Sequence, residues 1–285
     1  MKKSFPLRKI IGQSYIWIVL LLMYLPILLL VFYSFSNTTL IGGHYVFSFN
    51  LYADLFQNKA IMIAIGNTLL IAIISAAVAT LLGTLGAIGV FYSKSKFKKV
   101  INFATQIPIV NAEIVIAFSL TVMFVFLGTY IFKDDIFGFW TLLIGHVSLS
   151  LPFVYISVRP KLQQMDPSLY EAAIDLGATP RQALTKITVP EIAPGVFSGF
   201  LLSITLSLDD FIITSFTRGA GLLNGDSEIE TLSTFIQAAI KKKNIPPEMR
   251  ALTTFIFIAV IIAVIAVTIY RSRHSNMKKI RKGRD

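Results

Sequence analysis

Six long apolar runs constrain the fold of this chain more than any other feature of its sequence. A helix needs about 20 apolar residues to cross the hydrocarbon core of a bilayer. Six stretches have that length, at about 13–35, 62–91, 101–127, 139–158, 192–213 and 251–270. With 55% hydrophobic and only 14% charged residues, the chain is too apolar for an ordinary soluble domain. The sequence therefore predicts an all-α membrane protein with six transmembrane helices.

The first run follows a basic N-terminal segment, residues 1–12, and is too long for the core of a signal peptide. No small-residue cleavage site closes it, so we interpret it as a retained first span. The chain contains no cysteine, which excludes disulfides and thiolate metal sites. No metal ligands are predicted.

The basic residues lie mostly between the spans and indicate the direction of the chain. If the N-terminus is cytoplasmic, the inner segments carry 19 lysines and arginines and the outer loops carry 7. This bias predicts that both termini are cytoplasmic, with a basic tail at 271–285. The net charge of +11 is then mostly a basic inner rim, and a nucleic-acid surface is a poor interpretation. Lys241–Lys243 is the exception, and its simplest interpretation is a solvated outer loop.

The connection at 159–190 is too long for a simple turn, and its residues mark two short helices. Asp166 suits an N-cap, and Gly177 suits the left-handed position that ends the first helix. Thr179 and Gln182 have the spacing of a capping box for the second helix. The pattern predicts a helix, a tight turn and a second helix in the cytoplasm. It is either a structured loop or a docking element for a partner.

The run EAAIDLGATPRQALTKITVP in this connection resembles the EAA loop of ABC importer permeases. The residues that match the motif are Glu171, Ala172, Ala173, Gly177, Ile187 and Pro190. Val189 replaces the leucine usual in the motif, which is a conservative departure.

Most of the chain also resembles the spermidine/putrescine importer permeases of the PotC type. The similar segments are YLPILLLVFYSFS, IPIVNAEIVIAFSLTVMF and LSLDDFIITSF. Two departures concern substrate fit: Leu51 precedes Tyr52 where some members have tryptophan, and the outer loop at 219–230 is longer than usual.

The resemblance implies a multi-pass protein of the bacterial cell membrane with a type I ABC importer permease fold, whose six-span domain occupies 13–270. It also implies a homologous second permease subunit, two cytoplasmic ABC ATPase subunits that contact the EAA loop, and an extracytoplasmic polyamine-binding protein. ATP and Mg²⁺ would bind the ATPases, with no cofactor in this chain. Consistently, none of the 17 glycines is followed by the lysine of a P-loop. The chain is therefore expected to be a transport subunit rather than an enzyme.

A path for an extended polycation needs carboxylates or aromatic faces along a water-filled cavity. Ionisable residues inside spans are functional candidates, and here they are Glu113, Asp209 and Asp210. Tyr52 is a candidate aromatic contact on the same pathway. In the third span, Pro108 is expected to kink the helix and to loosen the backbone near Glu113. Glu113 is either a second cation station or a partner in an intramembrane hydrogen bond.

A regular fifth helix places Asp210 on a polar stripe with Gly199, Ser203, Ser207, Thr214 and Thr217. That stripe suits a pore-lining face, with Asp210 and Ser207 on the substrate pathway. The alternative is a helix–helix interface of small residues. Asp209 lies about 100° away and braces a neighbour, binds from the cavity edge or caps an unwound turn.

Three other interpretations stay open. His146 on the fourth span is expected to be packed or hydrogen-bonded rather than a ligand. The same class of importer with another cargo, such as iron, thiamine or an aminophosphonate, is the first rival for function. The second is a passive channel or membrane scaffold, which predicts no partner at the EAA loop.

Overall fold

The computed structural model describes residues 7–37, 45–219, 229–242 and 245–262, together with Ile265 and Ile269. Every regular element among these residues is a helix, and Ser36 forms an isolated antiparallel bridge with Phe47. Several predicted features lie wholly or partly outside the described residues: the N-terminal segment, the outer loop at 219–230, Lys243 and the tail at 271–285.

The described residues form twelve named α-helices. In chain order they are α1 (Leu7–Ser34), α2 (Asn50–Gln57), α3 (Lys59–Phe91), α4 (Ser95–Ala104), α5 (Ile107–Val110), α6 (Glu113–Phe126), α7 (Phe139–Gln164), α8 (Pro167–Asp175), α9 (Pro180–Ala183), α10 (Val189–Asp209), α11 (Ile212–Thr217) and α12 (Leu232–Lys241). Turns of π-helix extend α6 over Leu127–Phe132 and join α9 to α10 over Leu184–Thr188. Residues 248–262 are also helical.

Five helical segments among the described residues are long and apolar enough to cross a membrane. They are Ser14–Ser34, Lys59–Phe91, Glu113–Phe132, Phe139–Gln164 and Pro180–Asp209. The prediction of an all-α, multi-span protein is thus confirmed. The sixth predicted span, 251–270, extends beyond the described residues, so the count of six stays a prediction.

The chain divides into two compact units, and the candidate carboxylates and the 159–190 connection belong to the second. One unit comprises the residues up to Met62 with those from Lys242 onward, and the other is Ile63–Lys241. In the second unit, α3, α7 and α10 approach closely at Val154. A Cβ on Gly83 would lie 2.8 Å from the Val154 Cβ, and one on Gly199 would lie 3.2 Å from its Cα. Small residues therefore allow these helices to pack closely.

The third span is broken, and the prediction of one helix over 101–127 is wrong. After α5, Asn111 has a ψ of 147° and Ala112 a ψ of 133°, both extended conformations. Pro108 lies in the first turn of α5, where a missing N–H leaves no hydrogen bond unmade, so it starts a helix rather than kinking one. Glu113 is consequently the first residue of α6, and a helical wheel drawn from residue 101 does not give its direction.

The fifth span is broken as well, and the prediction of a regular helix through residue 213 is wrong. α10 ends at Asp209, Asp210 is extended with a ψ of 126°, and α11 begins at Ile212. Aspartate accepts hydrogen bonds from N–H groups at a helix start, so this side chain competes with continuation of the helix. The break gives the two adjacent aspartates different environments.

Replacing Gly195 with alanine is expected to destabilise the packing of α10 on α7. The new Cβ would lie 2.8 Å from the Lys161 Cγ and 2.9 Å from the Ser157 carbonyl oxygen. The Ser157 oxygen belongs to the backbone of α7, so it cannot move away without distorting that helix. Overpacking of this kind costs roughly 1–3 kcal/mol. Thermal unfolding of the detergent-purified protein measures the effect. Gly86→Ala is the matched control on α3, because its Cβ would meet nothing within 4 Å, and its melting temperature should be unchanged or slightly higher. Equal melting temperatures for the two variants would contradict this packing.

Candidate functional site

The connection at 159–190 contains the first short helix and the glycine turn that the sequence predicted. The prediction of a second short helix that Pro190 ends is wrong, because the helix that starts at Pro180 continues without a break through Pro190 into α10. Gly177 has a φ of +88°, a conformation that residues with a Cβ rarely adopt. Its N–H donates to the Ile174 carbonyl oxygen at 2.9 Å. The Ala178 N–H donates to the Ala173 carbonyl oxygen at 3.0 Å, which completes a Schellman motif. The turn thus satisfies the last carbonyls of α8 and fixes the direction in which the chain leaves it.

Both short helices carry the caps indicated by the sequence. The Asp166 carboxylate accepts from the Ser168 N–H at 3.0 Å, and this hydrogen bond lowers the pKa of Asp166. The Gln182 N–H donates to Thr179 Oγ1 at 3.3 Å, and the Thr179 N–H donates to Gln182 Oε1 at 2.8 Å. Local hydrogen bonds therefore define the start of each helix.

The tip of this connection is exposed and partly apolar. Leu176, which directly precedes the turn glycine, has 89% of its surface exposed. Sequence reasoning missed this residue, although an apolar side chain beside a fixed turn was the available signal. The motif residues Glu171, Ala172, Gly177 and Pro190 are also exposed, and Ala173 is half-buried. The ring of Tyr170 in α8 lies 5.4 Å from that of Tyr92, the residue that follows α3.

Asp210 is buried, and its carboxylate caps the start of α11. Oδ1 accepts from the Ile213 N–H at 3.1 Å, and Oδ2 accepts from the Thr214 N–H at 2.7 Å. The Thr214 hydroxyl also donates to Oδ2, at 2.8 Å. The Asp210 carbonyl oxygen accepts from the Ser233 hydroxyl at 2.8 Å. These backbone groups at the break are therefore paired inside the protein, as a membrane environment requires.

His146 on α7 is buried and touches both sides of the same break. Its Nδ1 lies 2.7 Å from Ser207 Oγ in α10, and its Nε2 lies 2.9 Å from Thr214 Oγ1 in α11. Nε2 is also 3.6 Å from Asp210 Oδ2. The expectation that His146 is hydrogen-bonded is confirmed.

The polar stripe of the fifth span lies in a helix interface. Its hydroxyl-bearing members each have 4% or less of their surface exposed: Ser203, Ser207, Thr214 and Thr217. The alternative considered from the sequence, an interface of small residues, describes this face. Asp210 was favoured as the pore-facing carboxylate because it belongs to this stripe on a regular helix. Since the helix is broken and the stripe is packed, that preference has no structural basis.

Asp209 and Glu113 are the more accessible carboxylates. Asp209 is exposed at the end of α10, as are Ser198 and Thr205 earlier on that helix. Glu113 is partly exposed, and its carboxyl group interacts with those of both Asp209 and Asp210. We call Glu113, Asp209 and Asp210 the acidic cluster. Like charges repel one another, and a bound cation relieves the repulsion.

Tyr52 belongs to the other unit, where it joins a group of aromatic rings. Its hydroxyl lies 2.9 Å from Ser34 Oγ, and its ring is 5.4 Å from that of Phe35. A place for Tyr52 on the substrate pathway stays a prediction. In the part of the chain that the structure describes, no three histidine or carboxylate side chains converge to form a metal site.

Comparison with known proteins assigns the chain to a family. The family of binding-protein-dependent transport system inner membrane components matches residues 79–282, a stretch that includes the acidic cluster and the 159–190 connection. The chain belongs to this family. It is therefore a multi-pass inner membrane component of a transport system, as the sequence predicted at this level.

Within the family, this chain is similar to two curated permeases over most of its length. It is 33% identical to the spermidine/putrescine transport system permease protein PotC of Haemophilus influenzae, covering 94% of this chain and 99% of the relative. It is 35% identical to the putrescine transport system permease protein PotI of Escherichia coli K12, covering 84% of this chain and 82% of the relative. The expected resemblance to PotC-type permeases is confirmed.

Solved structures of the same fold come from a bacterial ABC transporter involved in the import of the acidic polysaccharide alginate. One matches with a TM-score of 0.66 and 20% identity, covering 93% of this chain and 94% of that chain. The other is in complex with an alginate pentasaccharide-bound periplasmic protein and matches with a TM-score of 0.66 and 21% identity. The chain thus has the fold of an ABC importer permease.

Proposed function

We propose that this chain is the permease subunit of an ATP-driven ABC importer for polyamines, spermidine or putrescine. The observation that carries the proposal is the 33% identity to a spermidine/putrescine permease over 94% of the chain. Fold alone does not select the cargo, because a transporter of the same fold is involved in the import of an acidic polysaccharide. The charge of the side chains along the path must make that selection.

The acidic cluster supports a cationic cargo. Asp209 is exposed and Glu113 partly exposed, and each interacts with a further carboxylate nearby. In a water-filled cavity, such a group attracts ammonium groups. We assign the first contact with the polyamine to Asp209 and Glu113. Asp210 holds the backbone at the break between α10 and α11. Ser207 and Tyr52 stay as further candidates on the pathway.

The proposed assembly contains four kinds of subunit. A homologous second permease subunit completes the pore, and an extracytoplasmic polyamine-binding protein delivers the cargo. Two cytoplasmic ATPases bind ATP and Mg²⁺, and the exposed residues Glu171, Ala172 and Leu176 contact one of them. Gly177 and Pro190 maintain the conformation of the 159–190 connection, and Ala173 packs on its half-buried side. ATP-driven closure of the ATPases then moves this connection and alternates access to the cavity.

In the membrane, we infer six spans within 13–270, with the N-terminal segment 1–12, the connection at 159–190 and the tail at 271–285 in the cytoplasm. The excess of lysine and arginine on that side supports this orientation. The 159–190 connection then faces the compartment that holds ATP.

The complete transporter in proteoliposomes tests the function. We expect saturable uptake of radiolabelled spermidine or putrescine that requires the binding protein outside and ATP inside. Excess unlabelled polyamine should compete, whereas iron, thiamine or an aminophosphonate should not. Uptake of one of those three with no polyamine uptake would keep the class of transporter and refute the cargo. Solute flux without ATP would favour a passive channel.

A further inference from the structure

A chain of hydrogen bonds crosses the second unit from α3 to the α10–α11 break, and His146 is at its centre. The Ser75 hydroxyl donates to Ser207 Oγ at 3.2 Å, and Ser207 Oγ lies 2.7 Å from His146 Nδ1. Beyond the ring, Nε2 lies 2.9 Å from Thr214 Oγ1, which donates to Asp210 Oδ2 at 2.8 Å. This chain of hydrogen bonds therefore links α3, α7 and α10 to the carboxylate that caps α11.

Every hydrogen bond in this series donates in the same direction, from Ser75 towards Asp210. Since the Thr214 hydroxyl gives its proton to Asp210, it accepts from His146 Nε2–H. Nδ1 is then the acceptor for the Ser207 hydroxyl, which itself accepts from Ser75. A single ring proton on Nε2 satisfies every one of these buried groups. Such a satisfied chain makes a local arrangement rigid.

The imidazole ring spans the break rather than lying beside it. One ring nitrogen contacts Ser207, two residues before the last residue of α10, and the other contacts Thr214 in α11. Asp209 lies between these two contacts and is itself exposed. Asp209 is the last residue of α10, and Glu113 lies on α6, whose Thr121 hydroxyl donates to the Phe216 carbonyl oxygen of α11 at 2.9 Å. The angle between α10 and α11 therefore affects where the Asp209 carboxylate lies relative to Glu113.

We infer that His146 is a positioning residue, which fixes the angle of the α10–α11 break and so sets the position of the Asp209 carboxylate relative to Glu113. The role of Asp209 in binding the cation is that of the proposed function, on which this inference rests. His146 itself touches no cargo, because its side chain has only 1% of its surface exposed.

Packing alone does not account for this residue. A buried imidazole costs free energy unless both nitrogens are paired, and an apolar ring of the same size would fill the space without that cost. Not every buried hydroxyl in this unit is paired, since Ser150 Oγ and Ser203 Oγ have no hydrogen-bond partner among the described residues. By contrast, the two hydroxyls that contact His146, those of Ser207 and Thr214, are both paired. Ser203, one turn before Ser207 on the same buried face, also provides a matched control.

The direction of Asp209 can be measured without transport, because the chain has no cysteine of its own. In the complete transporter, a cysteine at Asp209 or at Thr205, one turn earlier and also exposed, is labelled with a hydrophilic maleimide. We expect His146→Phe to change the labelling rate at 209 by about fivefold, as the loss of one hydrogen bond would allow. The rate at 205 should stay the same. No change at 209, or equal changes at both positions, overturns the inference.

Uptake by the complete transporter gives a second readout. We expect Ser207→Ala and His146→Phe to raise the polyamine concentration for half-maximal uptake by about fivefold, with little change in the maximal rate. His146→Gln keeps a donor and an acceptor and should restore most of the affinity. Ser203→Ala should behave as wild type, and an equal effect of Ser203→Ala and Ser207→Ala overturns the inference.

Asp209→Asn in the same assay separates this inference from the proposed function. If Asp209→Asn leaves half-saturation unchanged, the cation role of Asp209 fails, while the labelling result still decides whether His146 sets the break. If Asp209→Asn raises the polyamine concentration for half-maximal uptake and the substitutions at His146 and Ser207 do not, only the positioning role of His146 fails.

Discussion

A transporter that carries valine in place of Gly177 is expected to lose most of its polyamine uptake. The φ of +88° at this position is unfavourable for any residue with a Cβ, and most of all for a β-branched one. The strain is about 1–2 kcal/mol, which shifts an equilibrium between turn conformations by a factor of about 5–30. In the proposed assembly, the exposed tip that includes Leu176 would then no longer be presented to the ATPase. Uptake and polyamine-stimulated ATP hydrolysis in proteoliposomes should fall together.

Gly177→Asn is the matched control, because asparagine tolerates the left-handed conformation. A Cβ here would meet nothing within 4 Å, so steric clash does not confuse the comparison. We expect the asparagine variant to retain most activity and both variants to assemble with their partners in normal amounts. If the valine variant transports as well as the asparagine variant, the shape of this turn does not matter for coupling.

The second large effect is expected from Asp209→Asn. The substitution keeps the size of the side chain and removes a charge that is exposed and interacts with Glu113. A hydrogen bond to a charged group contributes roughly 1.5–3 kcal/mol, so the polyamine concentration for half-maximal uptake should rise roughly 10- to 100-fold. Initial rates of spermidine and putrescine uptake over a range of concentrations measure this change.

Asp210→Asn should act differently from its neighbour. Asparagine has one oxygen for the α11 cap and loses the acceptor that receives both the N–H and the hydroxyl of Thr214. We therefore expect a smaller yield of assembled transporter, with nearly normal half-saturation in what assembles. Asp135→Asn, in the loop before α7, controls for the general effect of removing a negative charge. A normal half-saturation for Asp209→Asn, or a large rise for Asp135→Asn, would contradict the role given to Asp209.

The 159–190 connection was predictable because its signals are local. Asp166, Gly177, Thr179 and Gln182 each form hydrogen bonds with groups no more than three residues away. Such contacts depend only on residue type and short spacing, which a sequence displays directly. The transmembrane segments were predictable for a similar reason, since length and hydropathy alone decide whether a helix can cross a bilayer.

The breaks at residues 111–112 and at Asp210 were not predictable in the same way. A helical wheel assumes that every residue continues the helix, and both spans are apolar enough to support that assumption. Asp210 caps α11 through local hydrogen bonds, and partners from distant parts of the chain also stabilise the break. His146 lies 64 positions earlier, and Ser233 lies 23 positions later, at the start of α12. Only the folded structure brings these groups together, so a helical wheel could not show that Asp210 is buried at a break.

The segment Pro180–Asp209 is helical at each of its 30 residues, through α9, the π-helical turn and α10. At 1.5 Å per residue it is roughly 45 Å long, comparable to the full thickness of a membrane with its headgroups. The turn at Gly177 and the Asp209 carboxylate therefore lie near opposite ends of one continuous helical segment, with no loop between them. In the proposed transporter, a tilt of this segment at its Gly177 end would move the Asp209 carboxylate at the other end.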